Sequence, residues 1–135
     1  MTEVIAREVA EVEFNRFCVD MDIDNNVEKM NEKNAEGFLE LKETLISAFV
    51  DGRLVLNDDS EPVYTPKRKG IDNPMTFREP NGADLMAMDR KKDGQDMGKF
   101  FSLMDSVTKS APGTCAKLKG PDLKVAKAIM SLFMG

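Results

Sequence analysis

Carboxylates are the residues of this chain best suited to acid–base chemistry, and two close pairs occur, Asp58 with Asp59 and Asp84 with Asp89. Catalysis by such a group requires a nucleophile, a metal or a bound phosphate within reach. Neither pair is accompanied by a nucleophile, a metal-ligand partner or a phosphate-binding glycine loop. The 135-residue chain also lacks histidine, the commonest general base near neutral pH. We therefore predict that both pairs are solvated surface groups, and that the protein is not an enzyme and needs no cofactor.

Two features of the sequence suggest metal binding, but neither of them matches a known metal-binding motif. Residues 20–25, DMDIDN, begin like an EF-hand calcium loop, but Asn25 replaces the required glycine and Asn31 replaces the bidentate glutamate. We predict instead an acidic linker whose Asp and Asn side chains cap the backbone. Cys18 and Cys115 lack C-x-x-C spacing, which predicts two reduced, partly buried thiols and no metal site.

Charge divides the chain into two unequal halves. Residues 1–65 carry 16 acidic and 6 basic side chains, whereas residues 66–135 carry 8 acidic and 13 basic ones. The halves could face each other within or between chains, or both could be solvated surfaces. The basic run 67–70, KRKG, lacks interleaved aromatic residues, which favours a solvated connector over a nucleic-acid site.

Apolar runs in this chain are short, and its N-terminus, MTEVIAREVAEVEF, is acidic. A membrane-spanning helix needs roughly 18 consecutive apolar residues, and a signal peptide needs a basic and then an apolar region. We therefore expect a cytoplasmic protein with no membrane contact.

Apolar spacing predicts an α+β fold that forms one compact unit. An acidic helical segment over residues 1–50 forms the first part of this unit. Residues 51–135 form the second part, which contains a small antiparallel β-hairpin or sheet at about 53–79 and then a bundle of three short C-terminal helices. The prolines at 62 and 66 favour an edge position for the strand near them, because proline cannot donate to a ladder. The predicted helices are 31–50, 83–92, 96–110 and 121–134, and residues 3–19 are predicted to form an amphipathic helix or a loosely ordered arm. The predicted strands are 53–56, 62–65 and 75–78.

Methionine is concentrated in the C-terminal half, at positions 86, 88, 97, 104, 130 and 134. Its flexible, polarizable thioether suits surfaces that adapt to different partners, and it also suits the filling of a small core. A partner-binding interpretation requires some of these methionines to be exposed.

The stretch 76–80, TFREP, followed by Ala83-Asp84-Leu85, resembles the tail assembly chaperones of long-tailed bacteriophages. Their sequences place a strand ending in L-R-x-P before a helix, then an apolar helix, then a terminal L…D segment and a short helix that closes on phenylalanine. Phe77 stands where the family has leucine, and residues 1–50 lie outside the pattern.

The resemblance covers about residues 62–135, and its later parts correspond to 100–107, 118–123 and 129–133. It implies a non-enzymatic protein of the host cytoplasm that self-associates, binds the tape-measure protein and recruits tail-tube subunits during viral tail morphogenesis. Apolar helix faces could form grooves for helical segments of such a client. The candidate partner-binding residues are Phe77, Arg78, Leu85, Met86, Phe100, Phe101, Met104, Ile129, Met130 and Phe133.

Two alternatives to the chaperone remain open. One is a structural virion component, such as a tail-tube or neck subunit, that assembles through the hairpin at 53–65. The other, less favoured by the acidic composition, is a small regulator that binds nucleic acid through the basic half and would lose affinity steeply with salt.

Overall fold

A computed structural model describes residues 5–67, 74–89 and 96–134 of the chain, and it has the predicted α+β fold. N-terminal helices precede a small antiparallel sheet, which is followed by the C-terminal helices. The helices are α1 (Arg7–Asp20), α2 (Glu32–Val50), α3 (Gly82–Asp89), α4 (Asp96–Val107) and α5 (Pro121–Met134), and the strands are β1 (Leu54–Leu56), β2 (Pro62–Tyr64) and β3 (Met75–Thr76). Short 3-10 turns occur at Val27–Lys29 and Cys115–Lys117.

Strong local signals set the ends of α2 and α5, and both helices match their predicted ranges closely. The Asn31 side chain accepts the Asn34 N–H at 2.8 Å and caps the start of α2. Gly52, with φ of 75°, follows the end of this helix. Pro121 is the first residue of α5, where its missing N–H costs no hydrogen bond.

Two other predicted helices end differently in the structure. Helix α4 ends at Val107 and not at residue 110, because Lys109 has a φ of 53° and reverses the chain direction. The described part of α3 ends at Asp89, and the predicted residues 90–92 lie outside the described residues, as do residues 68–70 of the basic connector.

The sheet has the strand order β1-β2-β3, with both neighbouring pairs antiparallel. The predicted edge position for Pro62 is wrong, because β2 is the central strand. Pro62 is the first residue of that strand, a position where proline is tolerated. Its carbonyl still accepts the Phe77 N–H at 2.8 Å, just beyond the end of β3.

Aromatic side chains join the N-terminal helices to the C-terminal helix in one hydrophobic core. Phe14 of α1 meets Phe38 of α2 with ring centroids 6.0 Å apart, and Phe17 meets Phe133 of α5 at 5.4 Å. Both pairs have the edge-to-face geometry that aromatic rings prefer. The acidic N-terminal segment therefore supplies part of the same core as residues 51–135.

The acidic linker after α1 is capped by its own side chains, as predicted. Asp24 accepts the Asn26 N–H at 3.0 Å, and the Asn26 side chain accepts the Glu28 N–H at 3.2 Å. Within residues 5–67, 74–89 and 96–134, no group of three or more His, Cys, Asp or Glu side chains is placed to hold a metal ion. None of the helices in these ranges is both long and apolar enough to cross a bilayer.

Candidate partner-binding surface

A buried ion pair fixes the junction between β3 and α3. The Arg78 guanidinium donates to both carboxylate oxygens of Asp84, at 2.9 and 2.6 Å, and the Asp84 side chain is fully buried. The Ser106 hydroxyl and the Asn81 N–H also donate to this carboxylate, at 2.5 and 2.8 Å. Arg78 further donates to the Ser106 carbonyl at 2.9 Å. These four residues, the Arg78 cluster, join the end of β3 to α3 and α4.

The environment of Asp84 favours its ionised form. Burial by itself opposes the charge, but hydrogen bonds from Arg78, Ser106 and the Asn81 backbone, together with the Arg78 charge, keep the pKa of Asp84 below its ordinary value. The prediction that Asp84 is a solvated surface group is therefore wrong. The Asp89 side chain lies outside the described part of the chain, whereas Asp58 and Asp59 are exposed as predicted.

Two further aspartates are buried, and each connects a helix to a distant segment. Asp105 of α4 accepts the N–H groups of Gly113 and Cys115 at 2.9 and 2.8 Å. Asp122 of α5 accepts the Tyr64 hydroxyl at 2.6 Å and the Lys67 N–H at 2.8 Å. Burial, followed by the bond to Asp122, raises the pKa of Tyr64. Sequence reasoning missed both roles, since neither aspartate stands in a recognisable motif.

Both cysteine thiols are buried, and neither forms a disulfide. Burial raises the pKa of Cys18 to about 11, and burial together with a hydrogen bond to Asp105 raises the pKa of Cys115 to about 12. Thiols with such pKa values are protonated near neutral pH and are poor nucleophiles.

Four of the candidate partner-binding residues are core residues. The side chains of Phe77, Met104, Ile129 and Met130 have no accessible surface, so they cannot contact a partner while the chain is folded in this way. All four side chains belong to the hydrophobic core, and α5, which carries Ile129 and Met130, packs on α2. Their proposed role in direct contact is corrected to a role in the core.

Arg78 and Phe133 also have contacts within the chain. Arg78 belongs to the cluster described above, and its side chain is 23% exposed. Phe133 is half-buried at the end of α5, where its ring packs on Phe17. Accessible apolar surface is therefore found mainly at the four remaining candidates, Leu85, Met86, Phe100 and Phe101.

Helices α3 and α4 pack against each other and carry the remaining candidates at or near the surface. Of these candidates, Leu85 and Met86 are 40% and 66% exposed, and Met97 of α4, which was not among the predicted residues, is 54% exposed. Phe100 and Phe101 are half-buried, with ring centroids 5.8 Å apart. We call these five residues the methionine surface. Two of its exposed side chains are methionines, which is the condition that a partner-binding interpretation requires.

A second set of exposed apolar residues lies on α1. Val9, Val12 and Val19 are 49%, 64% and 74% exposed, although the opposite face of the helix carries Phe14 and Phe17 in the core. In the sequence, the three valines already lie on the opposite side of the helix from Phe14 and Phe17. This separation was the signal that could have predicted which apolar residues are exposed.

Comparisons of the chain with models of protein families, with curated proteins and with solved structures find no match.

Proposed function

We propose that this protein is a phage tail assembly chaperone that acts in the host cytoplasm. It binds helical segments of the tape-measure protein through the methionine surface and recruits tail-tube subunits, with several copies acting together. The observation that carries this proposal is the exposure of Met86 on α3 and of Met97 on α4, in a packed helix pair that also carries the half-buried Phe100 and Phe101.

Physical chemistry supports this use of the α3–α4 pair. Methionine side chains change rotamer easily, so they can follow the different apolar stripes that a long helical client presents. Each contact would be weak, because burial contributes only about 25 cal/mol per Å² of apolar surface and association has its own entropic cost. Several copies bound along one client would gain affinity from avidity.

The Arg78 cluster supports an indirect role for the motif that resembles the chaperone family. Arg78 and Asp84 are occupied by each other and by Ser106, so they orient α3 relative to α4 and leave client contact to the helix surfaces. On this interpretation Arg78 and Asp84 form the scaffold, and Leu85 and Met86 extend from it.

Co-expression with the tape-measure protein of the same genome tests the proposal. Wild-type chain should raise the soluble yield of the tape-measure protein and co-purify with it, and the double variant Met86→Lys/Met97→Lys should lose both effects. The matched control is Met134→Lys, since Met134 is 50% exposed on α5 and lies outside the methionine surface. Circular dichroism should show that both variants remain folded. No gain in yield with wild-type chain would contradict the proposal.

A structural role in the virion is the second candidate, and β1 favours it. This strand lies at an edge of the sheet, and Val55 within it is 51% exposed. Exposed edges can pair with strands of other chains. Mass spectrometry of purified particles distinguishes the two functions, because an assembly chaperone should be absent from mature virions and a structural subunit should be abundant.

A further inference from the structure

An open groove follows the seam between α2 and α5. It consists of three adjoining cavities of about 540, 390 and 710 Å³. The smallest shares Glu40, Thr44 and Lys124 with the first cavity, and it shares Leu41 and Ser131 with the third. The cavities therefore form one continuous surface, which we call the seam groove.

The floor of the seam groove is apolar or small. Leu41, Leu123 and Ala128 line its middle, and Phe38 and Phe133 line one end. At Gly37, near that end, a Cβ atom would meet nothing within 4 Å. A second helix could therefore approach α2 and α5 closely.

In the middle cavity of the groove the two rims carry opposite charge, whereas the cavity at the Phe38 end is lined by Lys33 of α2 together with Asp22, Asp24 and Glu79. Glu40 lies on the α2 side, whereas Lys124 and Lys127 lie on the α5 side. Among the described residues none of these three forms an ion pair, although they line the same cavity. Glu43, also on the α2 side, pairs with Arg7 at 2.6 Å. The charges of Glu40, Lys124 and Lys127 are therefore available to a charged ligand in the groove.

We propose that the seam groove binds an amphipathic helix of a partner protein, with the acidic side chains of that helix along α5 and its basic side chains along α2. An apolar stripe on the helix would cover the floor, and each charged flank would meet the rim of opposite sign. The 14 residues of α5 span about 20 Å, which matches about four turns of a bound helix. The groove shares no residue with the methionine surface, so this inference does not depend on the proposed function.

Designed helical peptides test the specificity of the groove on the full chain. Three peptides share one apolar stripe and differ in their flanks: lysine on one flank and glutamate on the other, glutamate on both, or lysine on both. The first of these, which we call the charge-split peptide, can bind in the direction that places each flank against the rim of opposite charge. Fluorescence anisotropy should show that it binds about tenfold more tightly than either uniform peptide, given the strength of two exposed ion pairs.

Charge reversal on the α5 rim should change this order. In the Lys124→Glu/Lys127→Glu variant both rims are acidic, so the peptide with lysine on both flanks should become the tightest ligand. The matched control is Lys117→Glu/Lys119→Glu, which changes the net charge equally at exposed lysines that line none of the three cavities. The control should keep the wild-type order.

A tryptophan at the end of the groove locates the bound peptide. The chain contains no tryptophan, so Gly37→Trp introduces a single reporter where space is open. Its emission should shift to the blue when the charge-split peptide binds. The inference is overturned if no peptide binds saturably, if the Lys124/Lys127 variant keeps the wild-type order, or if the control changes the order to the same extent.

Discussion

Three aspartates are buried among the residues that the structure describes, and each accepts hydrogen bonds from backbone N–H groups of a neighbouring segment. The donors are Asn81 for Asp84, Gly113 and Cys115 for Asp105, and Lys67 for Asp122. A buried carboxylate destabilises a fold unless hydrogen bonds or an opposite charge compensate for lost water. At the residue scale, these side chains therefore fix loops to helices. Asp84 also meets a guanidinium, that of Arg78.

Replacing Asp84 should cost more stability than replacing its exposed neighbour. Asp84→Ala leaves the largely buried Arg78 without its counter-ion, which should lower the free energy of unfolding by about 3 kcal/mol. Glu79→Ala is the control and should change it by less than about 0.5 kcal/mol. Urea titrations followed by circular dichroism measure both changes. The double variant Arg78→Met/Asp84→Leu should recover most of the loss, and failure to recover would show that the stranded charge is not its cause.

The contribution of Asp84 should depend on pH in a defined direction. The pKa of Asp84 lies below its ordinary value of 3.8 in the folded chain, so the unfolded chain binds the proton more readily. The stabilisation is therefore complete above about pH 4 and is lost as the pH falls through the folded pKa. The difference in unfolding free energy between wild type and Asp84→Ala should be constant from about pH 7 to 5 and should narrow below about pH 4. Urea titrations across this range measure it, and a difference that stays constant down to about pH 3 would contradict the assignment.

Helices α1 and α5 show that one element can serve both core and surface. Helix α5 buries Met130 completely, but it leaves Met134 50% exposed one turn later. Helix α1 buries Phe14 and Phe17 on one side and exposes three valines on the other. At the element scale, side chains of similar hydrophobicity thus contribute either packing or accessible apolar surface, according to the direction in which they point.

The two methionines of α5 should differ in their contribution to stability. Met130→Ala should lower the free energy of unfolding by about 2–5 kcal/mol, because it leaves a cavity among packed side chains. Met134→Ala should change it by less than about 0.5 kcal/mol, since half of the Met134 side chain is already in water. Chemical denaturation measures both changes. Equal losses would mean that the end of α5 is covered in solution, for example by another copy.

At the scale of the whole molecule, the first and last helices complete one core. The acidic and basic halves of the chain, residues 1–65 and 66–135, nevertheless differ in net charge. Burial of Asp84, Asp105 and Asp122 removes three acids from the surface of the basic half. The Lys67–Asp51 ion pair, at 3.1 Å, joins the two halves within the chain.

Substitutions on α1 test whether the N-terminal segment is essential to the fold. Phe17→Ala removes a ring that packs on Phe133 and should cost about 3–5 kcal/mol of unfolding free energy. Val19→Ala, two residues away and 74% exposed, should cost less than about 0.5 kcal/mol. Thermal unfolding followed by circular dichroism ranks the two variants. An unchanged melting temperature for Phe17→Ala would identify α1 as a detachable arm.

The sequence by itself determined the kinds of element and many of their ends. Asn31, Gly52 and Pro121 mark helix ends through backbone rules that act within a few residues, so α2 and α5 were predictable. Two short runs around a polar turn likewise predicted the pairing of β1 with β2.

Only the tertiary structure decided which of these residues are accessible. Periodicity could not distinguish Met130 from Met86, because both lie on apolar faces of helices and only the packing partner of each helix determines which face is covered. It could not show Asp84 as a buried ion-pair partner, since that role needs Arg78 and Ser106 brought together from separate elements. Burial is a property of contacts between distant segments, and local sequence rules carry no information about which segments will meet.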